Sequence, residues 1–256
     1  MKSCARNICF IVLICIVIAG CKRLAPGQGT TIDPPGTTSF RLIAQYYIGA
    51  HISEPSGIVY NALHNSFYIV SDAHTDLYET DLHGTLIHSI PTTSTDLEGI
   101  SLSANDDTIF VVEERNKLVV TYRTDGTRLS QFSADVATAT NNALEGVTVD
   151  RNRHLFVLNE KLPGMLLEYL PNGTEIKRTT LSLALDYSDI FYDAGEDCLW
   201  MISDESKKIM KMTKNGGLIT EWPVPFTKGE GISIVRDTIY VVNDADATLY
   251  LFTKPK

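Results

Sequence analysis

Acidic residues recur at two kinds of position in this sequence. Glu98, Glu145 and Glu230 each stand directly before a glycine, in Leu97-Glu98-Gly99-Ile100, Leu144-Glu145-Gly146-Val147 and Gly229-Glu230-Gly231-Ile232, and Asp189 lies one position later in a fourth copy, Tyr187-Ser188-Asp189-Ile190. A second set follows short apolar runs: Asp72, Glu114, Glu160, Asp204 and Asp244, within Ser71-Asp72, Glu113-Glu114, Asn159-Glu160, Ser203-Asp204 and Asn243-Asp244. Carboxylates gathered in one place can ligate a hard cation such as Ca²⁺, which takes about 6–8 oxygens. They can also act as acid and base in a hydrolytic site. An architectural role competes with both: a Glu beside a Gly can accept a backbone N–H from a neighbouring strand, and Ser-Asp or Asn-Asp caps a turn. Two carboxylates about 4 Å apart repel by about 4 kcal/mol at an effective dielectric of ~20, so several inward-facing Glu need a counter-ion or raised pKa values.

Other chemistries find little support. The six histidines, His51, His64, His74, His83, His88 and His154, have no paired ligand spacing, so zinc is not expected. No Gly-rich phosphate loop and no Gly-x-Ser-x-Gly nucleophile elbow is present. No His or Lys is placed by the sequence as an evident proton-transfer partner. With 22 basic against 31 acidic residues, a net −9, the chain lacks the clustered cations that nucleic-acid binding requires.

These acids need a scaffold, and the sequence supplies one by repetition. The segments beginning at Glu54, Asp96, Ala143, Asp186 and Lys228 align, and their fourth residues, Gly57, Gly99, Gly146, Asp189 and Gly231, are spaced by 42, 47, 43 and 42. The pairs His83-Gly84, Asp125-Gly126, Asn172-Gly173 and Asn215-Gly216 independently give 42, 47 and 43. The longer second interval falls in the polar stretch Ala134–Ala143, where a surface insertion belongs. Each unit holds short runs rich in Val, Ile, Thr and aromatics, with Asp-Gly or Asn-Gly before the last run, predicting a two-residue hairpin with both residues at φ > 0. Asn172-Gly-Thr, although it matches a glycosylation pattern, is expected to be such a turn. Runs such as FYIV, IFVV, LFVL and IYVV are apolar on both faces, as a strand between two sheets must be.

Four strands per unit at this period predicts an all-β fold, a five-bladed β-propeller with four-stranded antiparallel blades starting near residues 54, 97, 144, 187 and 229. The last unit has only three runs, and Phe40–Ile48 is expected to complete it, closing the ring and pinning the termini together. In that fold the first strand of a blade lines the channel and the second runs back beside it. Both sets of acids are then expected at one mouth.

The N-terminus reads as a separate unit. Lys2 and Arg6 precede an apolar run from Ile8 to Ala19, too short for the ~20 residues of a membrane-spanning helix and suited to a signal peptide over 1–20. It ends Ile18-Ala19-Gly20-Cys21, resembling a bacterial lipobox with Ile in place of the usual Leu, so Cys21 is expected to carry lipid. Residues 21–38, rich in Pro, Gly and Thr, form a flexible tether ahead of a domain spanning 39–256. After cleavage the charge becomes −11, and Cys198 is the one thiol left in the domain, so no internal disulfide is expected. The expected location is the bacterial cell envelope, lipid-anchored to a membrane; if Gram-negative, to the outer membrane facing the periplasm or the cell surface.

The stretches DLEGISLS, ALEGVTVDRNRHLFVLNEKLPGMLLEY and EGISI with IYVVND resemble the SdiA-regulated, or YjiK-like, family of bacterial envelope proteins across the whole domain. That resemblance implies a five-bladed propeller, a tendency to bind calcium, and no established reaction. Units one and four depart from it, with Ser56-Gly57 and Ser188-Asp189 in place of Glu-Gly, so calcium ligands are expected chiefly from units two, three and five. The expected function is a monomeric, membrane-anchored lipoprotein whose calcium-binding propeller binds a ligand or an envelope protein, more a binding module than an enzyme. The alternative is a metal-dependent hydrolase acting on a phosphoester, lactone or glycoside at the same mouth.

Overall fold

The computed structural model describes residues 40–105, 107–139 and 141–255. The predicted signal peptide, Cys21 and the tether lie outside the described residues. Twenty strands form five four-stranded antiparallel sheets, arranged as a five-bladed propeller. The first blade holds β1's successors β2 (Pro55–Asn61), β3 (Ser66–Ser71), β4 (Asp76–Thr80) and β5 (Leu86–Pro91), β1 itself being Leu42–Tyr47. The second comprises β6 (Leu97–Leu102), β7 (Thr108–Glu113), β8 (Leu118–Arg123) and β9 (Arg128–Ser133), and the third β10 (Leu144–Val149), β11 (Leu155–Asn159), β12 (Met165–Tyr169) and β13 (Glu175–Thr180). The fourth runs through β14 (Asp189–Asp193), β15 (Cys198–Ser203), β16 (Lys208–Met212) and β17 (Leu218–Pro223). The fifth has β18 (Gly229–Val235), β19 (Thr238–Asn243) and β20 (Thr248–Thr253), and β1 completes it in the order β1-β20-β19-β18. The ring therefore closes through the N-terminal strand, as the missing run in the last unit requires.

The second strands show why their sequences are apolar on both faces. In β3, Phe67 and Ile69 pack toward the fifth blade with Tyr240 and Val242, while Tyr68 and Val70 pack toward the second with Ile100 and Val111. In β11, Leu155 and Val157 join Phe110 and Val112 of the second blade, and Phe156 and Leu158 join Ile190 and Leu199 of the fourth. The core is thus five apolar layers, each between two blades. This differs from a half-exposed sheet, whose alternation would leave one face polar.

The hairpins differ from the expected turn type. Gly84, Gly126, Gly173 and Gly216 have φ of 80, 86, 84 and 84°, but the residues before them are not left-handed. In each turn the glycine N–H donates to the carbonyl three residues back, as Gly84 does to Asp81 (3.1 Å) and Gly126 to Arg123 (3.0 Å). The register slips at the same point, between Glu79 and Thr80, Thr121 and Tyr122, Glu168 and Tyr169, and Lys211 and Met212. These are type I turns followed by a glycine bulge, the longer alternative to the two-residue hairpin. Asn172-Gly173-Thr174 is one of them, with the Asn172 side chain accepting from Thr174 N–H at 3.1 Å.

Where the first strands meet, glycine is required. A Cβ on Gly99 would lie 2.8 Å from the Gly146 Cα, one on Gly146 2.8 Å from the Asp189 Cα, and one on Gly231 3.0 Å from the Gly57 Cα. The repeated glycine thus lets the five innermost strands approach to backbone contact.

Candidate functional site

Four of the five first strands begin with an irregularity in their pairing. Register breaks fall between Pro55 and Gly57, Leu97 and Ile100, Leu144 and Val147, and Gly229 and Gly231. Bulges re-aim side chains, and here they turn Glu98, Glu145 and Glu230 into a cavity of about 180 Å³ at the channel mouth. Blade four pairs without such a break from Asp189 to Asp193. Its Asp189 instead spans to the next blade, where Oδ2 accepts the Ile232 N–H at 2.8 Å. The departure of unit four from Glu-Gly is therefore architectural.

Seven of the eight acids singled out in the sequence line this cavity: Asp72, Glu98, Glu145, Glu160, Asp204, Glu230 and Asp244. The eighth, Glu114, is buried beside it, within 4.8 Å of carboxylate oxygens of Glu145 and Glu160 in one group and of Asp96 and Glu98 in another. The paired residues before the second-strand acids are the turn caps: Asn159 donates to the Pro163 carbonyl (2.8 Å) and Ser71 to the Ser53 carbonyl (2.7 Å).

Sequence reasoning missed Glu54, Asp96, Asp186, Glu205, Lys161 and Lys228. Glu54, Asp96, Asp186 and Lys228 occupy the first position of the aligned repeat segments, so the signal lay in a column already aligned. Asp96 and Asp186 are structural: Asp96 accepts the Arg115 N–H (2.8 Å) and pairs with its guanidinium (3.2 Å), and Asp186 accepts from Ser203 and from the Glu205 N–H (3.0 Å). The two lysines are the larger correction, because no basic side chain was expected at the mouth. Lys161 Nζ bridges Glu160 (2.7 Å) and Glu205 (2.8 Å), and Lys228 Nζ lies 3.5 Å from Glu230 and 3.8 Å from Asp204.

The lysines make the mouth lopsided. Lys161 and Lys228 partly balance Glu160, Glu205, Asp204 and Glu230, and Arg115 balances Asp96 and eases Glu114, whereas Glu98 and Glu145 have no ion pair among the described residues. Burial, and then Asp72, Glu114 and Asp96, push the Glu98 carboxyl well above its usual range. Burial, and then Glu98 and Glu160, do the same to Glu145. Burial raises Glu114 to about 7 although it accepts the Ala143 N–H at 3.1 Å, and Asp96 and Glu160 add to the rise. Glu230 also reaches about 7 through burial, held back by Lys228. At the rim, burial raises Asp72 and Asp244, with Glu54 contributing to both. Among the described residues Glu98 and Glu145 accept no hydrogen bond, so both are uncompensated when ionised.

These groups suit a hard cation. Oxygens on opposite sides of a Ca²⁺ at about 2.4 Å each lie about 4.8 Å apart, and the two groups sharing Glu114 fall within that span. The third group, Glu160, Asp186 and Glu205, already holds the Lys161 ammonium.

A family model described as SdiA-regulated matches residues 38–182 and 169–254. The chain belongs to the SdiA-regulated family. No curated protein matches it. Among solved structures, this SdiA-regulated chain is similar to virginiamycin B lyase from Staphylococcus aureus (TM-score 0.51, 14% identity, 78% of this chain and 66% of the lyase). It is also similar to a chain of a nidogen/laminin complex (TM-score 0.55, 16% identity, 74% and 72%) and to a protein of unknown function from Bacteroides caccae (TM-score 0.50, 10% identity, 69% and 64%). At these identities the likeness is one of fold alone. The SdiA-regulated chain spans just under two thirds of the lyase's length.

Proposed function

We propose that this SdiA-regulated protein is a lipid-anchored bacterial envelope protein whose propeller holds Ca²⁺ at the acidic mouth and binds a ligand or partner protein there. The observation that carries the cation is the placement of Glu114 between two carboxylate groups in which Asp96 and Glu160 are paired with Arg115 and Lys161, while Glu98, Glu114 and Glu145 have no ion pair among the described residues. Glu98, Glu114 and Glu145 would be its central ligands, with Asp96 and Glu160 flanking; Ca²⁺ would cancel their repulsion and brace the second blade against the third. The membrane attachment is supported by the apolar run and small residues ahead of Cys21. Several acyl chains, at about 0.8 kcal/mol per buried methylene, would make it stable.

Melting of residues 40–256 with EDTA, Ca²⁺ or Mg²⁺ tests the cation. A rise with Ca²⁺ that Glu145→Ala and Glu114→Gln abolish supports the site; absence of any Ca²⁺ response in the parent overturns it. Retention by both variants would move the ion away from the mouth. For the anchor, labelled palmitate should enter the full chain and not Cys21→Ser.

One set of observations favours hydrolysis as a second reading. Lys161 and Lys228 break the ring's symmetry, and Glu230 at about 7 is poised to give or take a proton near neutrality. Turnover of a phosphoester, lactone or arabinan that Glu230→Gln abolishes while the Ca²⁺ response persists would establish it.

A further inference from the structure

Each second strand carries an aromatic residue at one equivalent position: Tyr68, Phe110, Phe156, Trp200 and Tyr240. All five are buried, Phe110 and Tyr240 at 7% exposure each. Tyr68 and Phe156 are each 1% exposed, Trp200 lies fully buried under Trp222 with Lys211 and Lys254 over its ring, and Tyr240 packs on Phe67 with ring centroids 4.7 Å apart. The small exposed part of Phe110 faces a cleft. This open cleft of about 370 Å³ lies between the second and third blades on the face opposite the acidic mouth, and Phe110, Val149 and Pro171 supply its apolar wall. Thr121 and Ser130 supply hydroxyls, and Arg153 stands at its edge.

The charges at the cleft are unequal. Asp107 is engaged by its own loop, accepting from Ser103 (2.9 Å), Asn105 (2.6 Å) and Thr108 (2.8 Å). Arg151, two residues before Arg153, is committed to the fourth blade through the Tyr192 hydroxyl (2.8 Å) and the Ala194 carbonyl (2.6 Å). The Arg153 backbone N–H donates to the Asp150 carbonyl (2.9 Å), and its side chain has no hydrogen bond or ion pair among the described residues. Its guanidinium can therefore take a carboxylate or sulfonate by two parallel N–H bonds. The volume falls within the ~300–1,000 Å³ of small-molecule pockets, which join apolar walls to a few convergent polar groups.

We infer that this cleft binds a small organic anion, its aromatic or aliphatic body against Phe110 and Pro171 and its acid group on Arg153. The site is separate from the acidic mouth, so its test does not depend on calcium.

The probes are 4-phenylbutyrate, followed by ligand-observed NMR and calorimetry, and 8-anilinonaphthalene-1-sulfonate, followed by fluorescence, with the full chain in EDTA. Both should bind the parent and compete with each other. Arg153→Gln should weaken 4-phenylbutyrate roughly tenfold, about the worth of one charge-assisted pair. The neutral 4-phenylbutanamide should bind parent and Arg153→Gln equally. Ser130→Trp, on an exposed edge strand, should fill the cleft and abolish binding while the melting temperature holds. Failure of both anions to bind the parent overturns the inference. So does binding that survives both substitutions, or weakening of the amide and the anion alike in Arg153→Gln.

Discussion

The crowding of carboxylates at the mouth has a measurable thermodynamic signature. Glu114 and Glu230 are each raised from 4.5 to about 7. The folded protein therefore binds more protons than the unfolded chain between those values. The stabilising protonation is complete below about pH 4.5 and is lost as pH rises through about 7. At ~1.4 kcal/mol per unit, ionising each group costs at most about 3 kcal/mol. Glu230 lines the mouth and Glu114 is buried beside it, and relaxation and screening around them reduce this to about 1–2 kcal/mol each. For a domain of this size, a joint loss of about 3 kcal/mol corresponds to a fall of roughly 6–12 °C in melting temperature. Glu98 and Glu145, raised further, continue the decline toward alkaline pH. Calorimetric melts of residues 40–256 in EDTA should thus show the melting temperature falling between pH 5 and pH 8, and saturating Ca²⁺ should flatten the curve. Carboxylates with lowered pKa values, such as Asp81 and Glu175, titrate below this window and do not obscure it. A melting temperature that stays level or rises across the window in EDTA would refute the electrostatic reasoning. Equal falls with and without Ca²⁺ would refute the cation's role.

Three further outcomes are expected. Glu145→Gln should raise the melting temperature in EDTA at pH 8, by about 1–2 kcal/mol of relieved repulsion, and shrink the Ca²⁺ response, both read in the same melts. Gly99→Ala should destabilise by about 1–3 kcal/mol or more, measured by urea unfolding, because its Cβ meets the Glu145 carbonyl and the Gly146 backbone. Lys254→Ala should cost about 1–3 kcal/mol in the same assay, since Lys254 pairs with the buried Asp193 at 2.5 Å and Glu196 at 2.9 Å, and its loss leaves Asp193 only the Gly195 and Glu196 N–H groups on Oδ1.

Much of this architecture was legible because repetition amplifies weak signals. One Glu-Gly or Asn-Gly pair says little, but two marker series sharing an irregular period set the blade count, and the short last unit pointed to Phe40–Ile48, within which β1 (Leu42–Tyr47) forms. Residues near the channel were readable because a blade's topology fixes which strand ends share a rim. What escaped depended on geometry that periodicity does not carry. Lys161 and Lys228 reach their carboxylates through long side chains, two of those contacts crossing between blades: Lys161 to Glu205 and Lys228 to Asp204. The bulges that aim Glu98 and Glu145 inward leave no distinct mark beyond the glycine. The hairpins were assigned two left-handed residues because Asn and Asp tolerate that conformation, whereas the observed bulge needs only the glycine there. Arg153 was passed over because an arginine in a turn looks the same whether its partner is present or missing.

The pairing of β1 with β20 also determines where the chain leaves the ring. β20 sets out from the turn after Asp244, on the mouth side, and β1 runs against it from Leu42 opposite Phe252 to Tyr47 opposite Thr248. Phe40, the first described residue, therefore lies at the far face, opposite the carboxylates. Under the proposed lipid anchor at Cys21, the chain would enter the ring on the face that carries the Arg153 cleft, with the carboxylates on the other. Two visitors could then be received from opposite directions, neither crossing the other's path.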